Sequence, residues 1–300
     1  MIDQHYISTL RNLLKTYRGT PRSFVLFMSG SLPASAVLHL RQLSLFAMVC
    51  RLKGDPLHQH AVKVLLTLPS TAKYWFLQVR NLHLQYHLPH PLELLQSPPH
   101  KESFKKLVKS RVLDHWEKKL RSESALLPSL VYFHPEFLSL TTPHKLWSTA
   151  SSNMHEVTKA KVQLLFLSSQ YPCGKRVRHW SPDNPEGFCS FTPCRQAGIV
   201  ESPEHLLLQC PAYTNTRKRL IHLALQTKQT DTHRLFVKSL LSNTRDLMQL
   251  LLDPSCIPEV ISHAQYHGDN IFSDLFYLGR SWCFSIHRER MKMLGKWNFL

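Results

Sequence analysis

A mainly α fold is what this sequence predicts: a helical array interrupted by one small, irregular, cysteine-bearing insert. Glycine is scarce, at 9 of 300 residues, which disfavours a turn-rich β architecture. Proline repeatedly follows a capping residue, at Thr20-Pro21, Asp55-Pro56, Thr142-Pro143 and Ser202-Pro203. A side-chain oxygen there can accept an orphan N–H, and proline loses nothing at the first helical position. Between these starts apolar residues recur at helical spacing.

Taken in order, residues 1–95 read as one helical segment. Gly30 should close the helix opened at Pro21, and PASAVLHLRQLSLFAMVCRL should form a second, largely buried helix running through Val37, His39, Leu40 and Arg41. A third should run from Asp55 to near Pro69, and a fourth over 71–87 with Tyr74, Trp75, Leu77, Leu82 and Leu84. The run QSPPH (96–100) is the clearest linker and opens a second region, 96–170. There Phe104, Val108, Val112 and Trp116 make an i, i+4 ridge, while Lys105, Lys106, Lys109, Arg111, Lys118 and Lys119 crowd the rest of the helix. Residues 125–145 are proline-interrupted and loop-like, and a further helix is expected from about His155 to Ser169.

The third region, 171–220, holds the insert. Its first thirty residues are rich in Pro, Gly and Cys and show no helical period. In the fourth, 221–300, helix should extend to the break at Asp253-Pro254, and Asp269 should cap a final long helix. Phe272, Leu275, Phe276, Trp282, Cys283 and Ile286 would line that helix's apolar stripe, with Arg288, Arg290, Lys292 and Lys296 as its basic end. No repeat at a solenoid period is present.

Lys plus Arg number 37 against 20 Asp plus Glu, a net charge of +17. Charge of that size repels itself, so a polyanionic partner is the natural counterpart; a solvated surface that only aids solubility is the plainer alternative. The start, MIDQHYISTLRNLLK, lacks signal architecture, and no stretch approaches the ~20 apolar residues that span a bilayer. No membrane partner is expected, and an intracellular, reducing setting in nucleus or cytoplasm is.

Seven cysteines, an odd number, make no disulfide framework. Cys50, Cys173, Cys256 and Cys283 lie apart and suit small buried apolar positions. The other three fall with a histidine in the pattern Cys189-x4-Cys194-x10-His205-x4-Cys210. Three sulfurs and one imidazole complete a tetrahedral Zn2+ site with no open position, which marks a structural rather than a catalytic ion. Such a zinc knuckle would fold a loop that cannot bury a core of its own. Cys173 and His179 are spare ligands. Around the knuckle lie Lys175, Arg176, Arg178, Arg195, Arg217, Lys218 and Arg219, interleaved with Tyr171, His179, Trp180, Phe188, Phe191 and Tyr213. Cations can neutralise phosphates while aromatic faces stack on bases; a solvated rim over packed aromatics is the rival.

Several longer phrases resemble one family. EHLLLQCPAYTNTRKRL behind its cysteine pair, with YPCGKRVRHWSPDNPEGFC before it, resembles the zinc-binding C-terminal region of non-LTR (LINE-type) retrotransposon reverse transcriptases. GSLPASAVLHLRQLSLFAMVCRLKGDPLHQHA resembles the helical segment following that family's polymerase core, and LGRSWCFSIHRERMKMLGKW its extreme C-terminus. The resemblance implies Cys189, Cys194, His205 and Cys210 as ligands of one structural zinc. It also implies a role in holding RNA template or target DNA, with the element's polymerase portion as a further partner. The family's paired aspartates, which hold two catalytic metal ions, have no counterpart: Asp-Asp occurs nowhere in the chain. No polymerase activity is therefore expected.

Rival classes have weaker support. His134-Pro135-Glu136 has a deaminase-like His-x-Glu form without the partner Pro-Cys-x-x-Cys. Pro182-Asp183 and the acids Asp231, Asp246, Asp253, Glu259, Asp269, Asp274 and Glu289 do not follow the order of the nuclease that some related elements carry. A zinc-braced protein-interaction module of a domesticated element is the main alternative. The pairs His58/His60, His87/His90 and His263/His267 lack nearby cysteines and suit ordinary surface or capped-core positions.

Overall fold

A computed structural model of the chain describes residues 2–69, 72–150, 153–180, 184–226, 231–242, 246–268 and 270–295, without the side chains of 180, 231–233 and 267. The expected cap at Asp269, the basic Lys296 and the pair Pro182-Asp183 lie outside the described residues. Within them the fold is mainly α and contains no strand, only an isolated antiparallel bridge between Phe188 and Val200.

The first layer comprises α1 (Ile2–Leu14), α2 (Arg22–Ser29), α3 (Ala34–Cys50), α4 (Pro56–Thr67), α5 (Trp75–Gln85), α6 (Pro91–Gln96) and α7 (Lys101–Ala125). The long α7 turns its whole i, i+4 ridge inward: Phe104, Val108, Val112, Trp116 and Leu120 are all buried. They pack against α2 and α3, where Phe24 to Met28, Leu43 and Phe46 are covered. A polar thread pins this contact, since Trp116 Nε1 donates to Tyr86 Oη at 3.1 Å and that oxygen meets His39 Nδ1 at 2.7 Å. α3 is less buried than its composition suggests. Its opposite face leaves Leu38, Leu45 and Met48 exposed, because the neighbouring helices cover only one side.

Two of the four expected caps form as expected. Asp55 accepts from Leu57 N at 2.8 Å, and Ser202 Oγ accepts from His205 N at 3.1 Å. At the other two sites proline stands outside the helix. Pro21 is extended (φ −56°, ψ 142°), and the Thr20 hydroxyl is buried with no partner. After Pro143, His144 takes the cap, its Nδ1 accepting from Leu146 N at 3.1 Å, and opens the short α8 (Lys145–Ser148).

The second layer is organised by α16 (Asn270–Met293), which packs on α9 (Met154–Leu167), α12 (Thr214–Gln226), α14 (Leu247–Leu252) and α15 (Pro258–His267). Between α12 and α14 runs α13 (Asp231–Ser242). All six apolar positions expected of α16 are buried. Gly279 lets it approach α14 closely, for a Cβ there would sit 2.2 Å from Leu251 O. Buried Gln163 of α9 then satisfies the end of α14, donating to Leu251 O at 2.7 Å and Leu252 O at 3.1 Å. One connected apolar cluster runs from Ile7 to Ile286. Among the described residues no single helix is long and apolar enough to cross a membrane; α2 and α3 reach that length only together, across a 63° bend.

Candidate metal centre

Backbone pairing folds the insert before any side chain is considered. Glu201 N donates to Gly187 O, Cys189 N to Ile199 O, and Ile199 N to Cys194 O, all at 2.9–3.0 Å. This narrow hairpin carries Cys189 on one limb and, at its tip, α11 (Thr192–Gln196) carrying Cys194. Gly187 sits at φ 72° against Gly174, the first residue of α10 (Gly174–Val177); a Cβ on Gly187 would lie 2.7 Å from Gly174 O. The other jaw is a wide π-helical turn, His205–Gln209, closed by Cys210 N donating to His205 O at 2.7 Å. That five-residue bond sets His205 and Cys210 side by side, which an ordinary helical turn would not do.

The ligand atoms of Cys189, Cys194, His205 and Cys210 lie within 4.8 Å of one another, and all four residues are buried. Cys210 Sγ is 3.8 Å from Cys189 Sγ and 3.9 Å from Cys194 Sγ. A tetrahedron with metal–sulfur bonds of ~2.3 Å has sulfur–sulfur edges of about 3.8 Å. The Nε2 of His205 is buried and has no hydrogen-bond partner. The sulfurs also compete for charge. The Cys189 thiol is pushed down to about 5, chiefly by its bond from Cys210 and against the effect of burial. The same bond, with burial second, pushes Cys210 up, and burial does so for Cys194. Without a cation, one thiolate inhibits ionisation of its neighbours; a divalent ion would remove that conflict. This group could therefore hold a metal ion. It is the only cluster of three or more His, Cys, Asp or Glu ligands among the described residues, and neither Cys173 nor His179 joins it.

Surrounding side chains fasten the loop to the helices. Arg290 Nε donates to Glu201 Oε1 at 3.0 Å and its Nη2 to Glu201 Oε2 at 2.6 Å and Pro172 O at 3.0 Å. Glu201 Oε2 also accepts from Gly174 N at 2.7 Å. Beside this pair Tyr171 stacks on Phe166 at 3.8 Å, and its hydroxyl meets His287 Nδ1 at 3.0 Å. Trp282 Nε1 donates to Leu207 O, inside the π turn, at 3.0 Å. From the segment that follows α7, Tyr132 Oη donates to Glu204 Oε1 at 2.7 Å.

The expected basic rim divides in two. Lys175, Arg178, Arg195, Lys218 and Arg219 are exposed and available. Arg217 instead turns inward: its Nη2 donates to Cys210 O at 2.7 Å and Thr214 Oγ1 at 3.3 Å. Arg176 is half-buried, bonded to Gln170 Oε1 and lying over the Tyr17 ring at 5.9 Å. Arg290, expected on a basic surface, is buried with Glu201. Tyr171 and Tyr213 are covered and offer no face to a base, Phe188 and Phe191 are half-buried, and the Trp180 side chain lies outside the described residues. Elsewhere, His134 bonds Glu136 and Gln249, and Asp253 is buried against His144 at 3.1 Å.

Sequence reasoning missed Glu201, the hairpin and the π turn. A hint existed only for Glu201, the sole acid between Cys194 and Ser202, in an otherwise basic stretch. No protein-family model, no curated protein and no solved structure matches the chain.

Proposed function

We propose that this protein is a zinc-braced helical binder of nucleic acid, which holds RNA or target DNA without catalysing a reaction itself. The observation that carries this reading is the buried Cys3His group, with exposed Lys175, Arg178, Arg195, Lys218 and Arg219 near it in the chain. Zinc suits the thiolate-rich donor set, and four protein ligands leave no position for substrate, so the ion's role is to fix the loop. The surplus of cations supplies attraction to phosphates. The likeness of its phrases to the region following a LINE-type polymerase core supports the same role, beside a polymerase portion that provides the missing paired aspartates.

The test is titration of the zinc-loaded chain with labelled single-stranded RNA and duplex DNA across a salt series. We expect one zinc per chain and an affinity that falls linearly with salt on logarithmic axes. Reversing charge at Arg195, Lys218 and Arg219 should weaken binding at least tenfold while leaving zinc content unchanged. Binding that ignores salt and these reversals would favour the interaction-module alternative and sink this one.

A further inference from the structure

We infer that the outer surface of α7 is a second nucleic-acid contact, one that grips the phosphate backbone of a duplex independently of the metal centre. The inference rests on the nucleic-acid reading above, but neither the zinc ligands nor the family-like phrases include this helix.

α7 is 25 residues long, about 37 Å, and its ridge already buries the one apolar face it has. Its first eleven residues carry Lys101, Lys105, Lys106, Lys109 and Arg111, all exposed, with Glu102 the only acid among them. Two local rules oppose this placement. Lys101, Lys105 and Lys109 follow one another at i, i+4, where like charges repel. They also crowd the N-terminal half, where the helix dipole disfavours cations. Downstream, Lys118 and Lys119 continue the basic surface.

Against seven exposed cations α7 carries four acids: exposed Glu102 and Asp114, which form no ion pair among the described residues, and two that are engaged elsewhere. Glu117 holds Arg121 at 2.9 Å and accepts from Leu140 N at 3.0 Å, and Glu123 pairs with Arg22. Among the described residues none of the seven exposed cations lies in an ion pair. The field is felt locally: His115 is held below its ordinary proton affinity, first by burial and then by Lys119. Lys119 rests over the Trp116 ring at 4.7 Å, but the five cations of the first eleven residues have no such contact among the described residues, and uncompensated departures from local preference gather at functional surfaces.

The chemistry of the surface selects the partner. Both aromatic side chains of the helix, Phe104 and Trp116, face the core, so no ring is offered to an unpaired base. Lysines grip phosphate as point charges and carry no sequence information. A duplex backbone, contacted without regard to sequence, fits this surface better than a stacked single strand.

The experiment compares the zinc-loaded chain with the triple variant Lys101→Gln/Lys105→Gln/Lys109→Gln. Glutamine is about as good a helix former as lysine, so α7 should persist, with an unchanged or higher melting temperature. Binding to short duplexes of several sequences is measured against salt. We expect the logarithmic salt slope to shrink by about 2.7, at roughly 0.9 per lost phosphate contact, equally for every sequence and with zinc content unchanged. A second triple, Arg195→Gln/Lys218→Gln/Arg219→Gln, should flatten the slope separately. Should only the second triple alter the slope, α7 is a solvated face and the inference is wrong, while the proposed function stands. It is equally overturned if the α7 variant loses binding to phosphatidylserine vesicles and keeps its grip on duplex. Absence of duplex and RNA binding by the unmodified chain would overturn both readings.

Discussion

In the layer formed by α1 to α7, burial belongs to apolar side chains: Leu43, Phe46, Val112 and Leu120 are fully covered and touch one another's helices. In the loop from Tyr171 to Cys210, many of the covered groups are polar or reactive instead. Four thiols, an imidazole and the Glu201 carboxylate lie out of solvent, held among a hairpin, a π turn and the guanidinium of Arg290. The first region resists disturbance because many weak contacts share the load. The second depends on a few strong ones, so the removal of any single group should be felt throughout it.

Metal removal is the largest way to break that contrast. A structural zinc contributes on the order of 10–16 kcal/mol to the segment it folds. Cys210→Ser should abolish zinc retention and erase amide protection over the loop, while protection of α3 and α7 persists. Hydrogen exchange checks this, and a loop that stays protected in the metal-free variant refutes the proposed brace. Next comes Arg290→Met, which leaves the buried Glu201 carboxylate without its cation and should cost about 3–5 kcal/mol. The matched change in the other layer, Leu43→Ala, should cost about 2–5 kcal/mol. Denaturant unfolding gives both values. The sharper readout is zinc affinity, which should fall with the first and stay constant with the second.

The smallest effect is set by pH. His287 is held down to about 4 by burial, with Arg290 adding to it. An unfolded histidine titrates near 6.5, so the unfolded chain binds the additional proton. Stability present above about pH 6.5 is therefore lost as pH falls toward 4, by about 3 kcal/mol at ~1.4 kcal/mol per unit. His287→Gln should show a shallower loss over that window, and identical profiles for the two proteins would dismiss this assignment.

Much of the first layer could be read in the sequence, because the i, i+4 ridge of α7 and the Asp55 cap are signals carried by neighbours in the chain. The convergence of Cys189, Cys194, His205 and Cys210 into one buried group was legible for the same reason: their spacing and chemistry are local. What escaped was decided at long range. Thr20 and Thr142 stand before prolines as typical capping residues do, yet Pro21 takes the first cap position with no side-chain bond and His144 takes the second. Arg217 and Arg290 look like surface cations by composition, but the carbonyl of Cys210 and the carboxylate of Glu201 draw them inward. No spacing rule announces a π turn, since its extra residue only makes sense once His205 and Cys210 meet the other two cysteines.

The Glu201–Arg290 pair also sets an order of events during synthesis. Arg290 lies 89 positions after its partner. At about 5–20 residues per second the loop would precede its clamp by roughly 4–18 s. During that interval the carboxylate has no guanidinium and the π turn lacks the indole of Trp282, so the loop relies on its backbone hairpin, the Gly174 N–Glu201 bond, the Tyr132–Glu204 bond and the Cys3His group. A metal ion held by this group, captured early, would guard the thiols during that wait and serve the nascent chain as an escort.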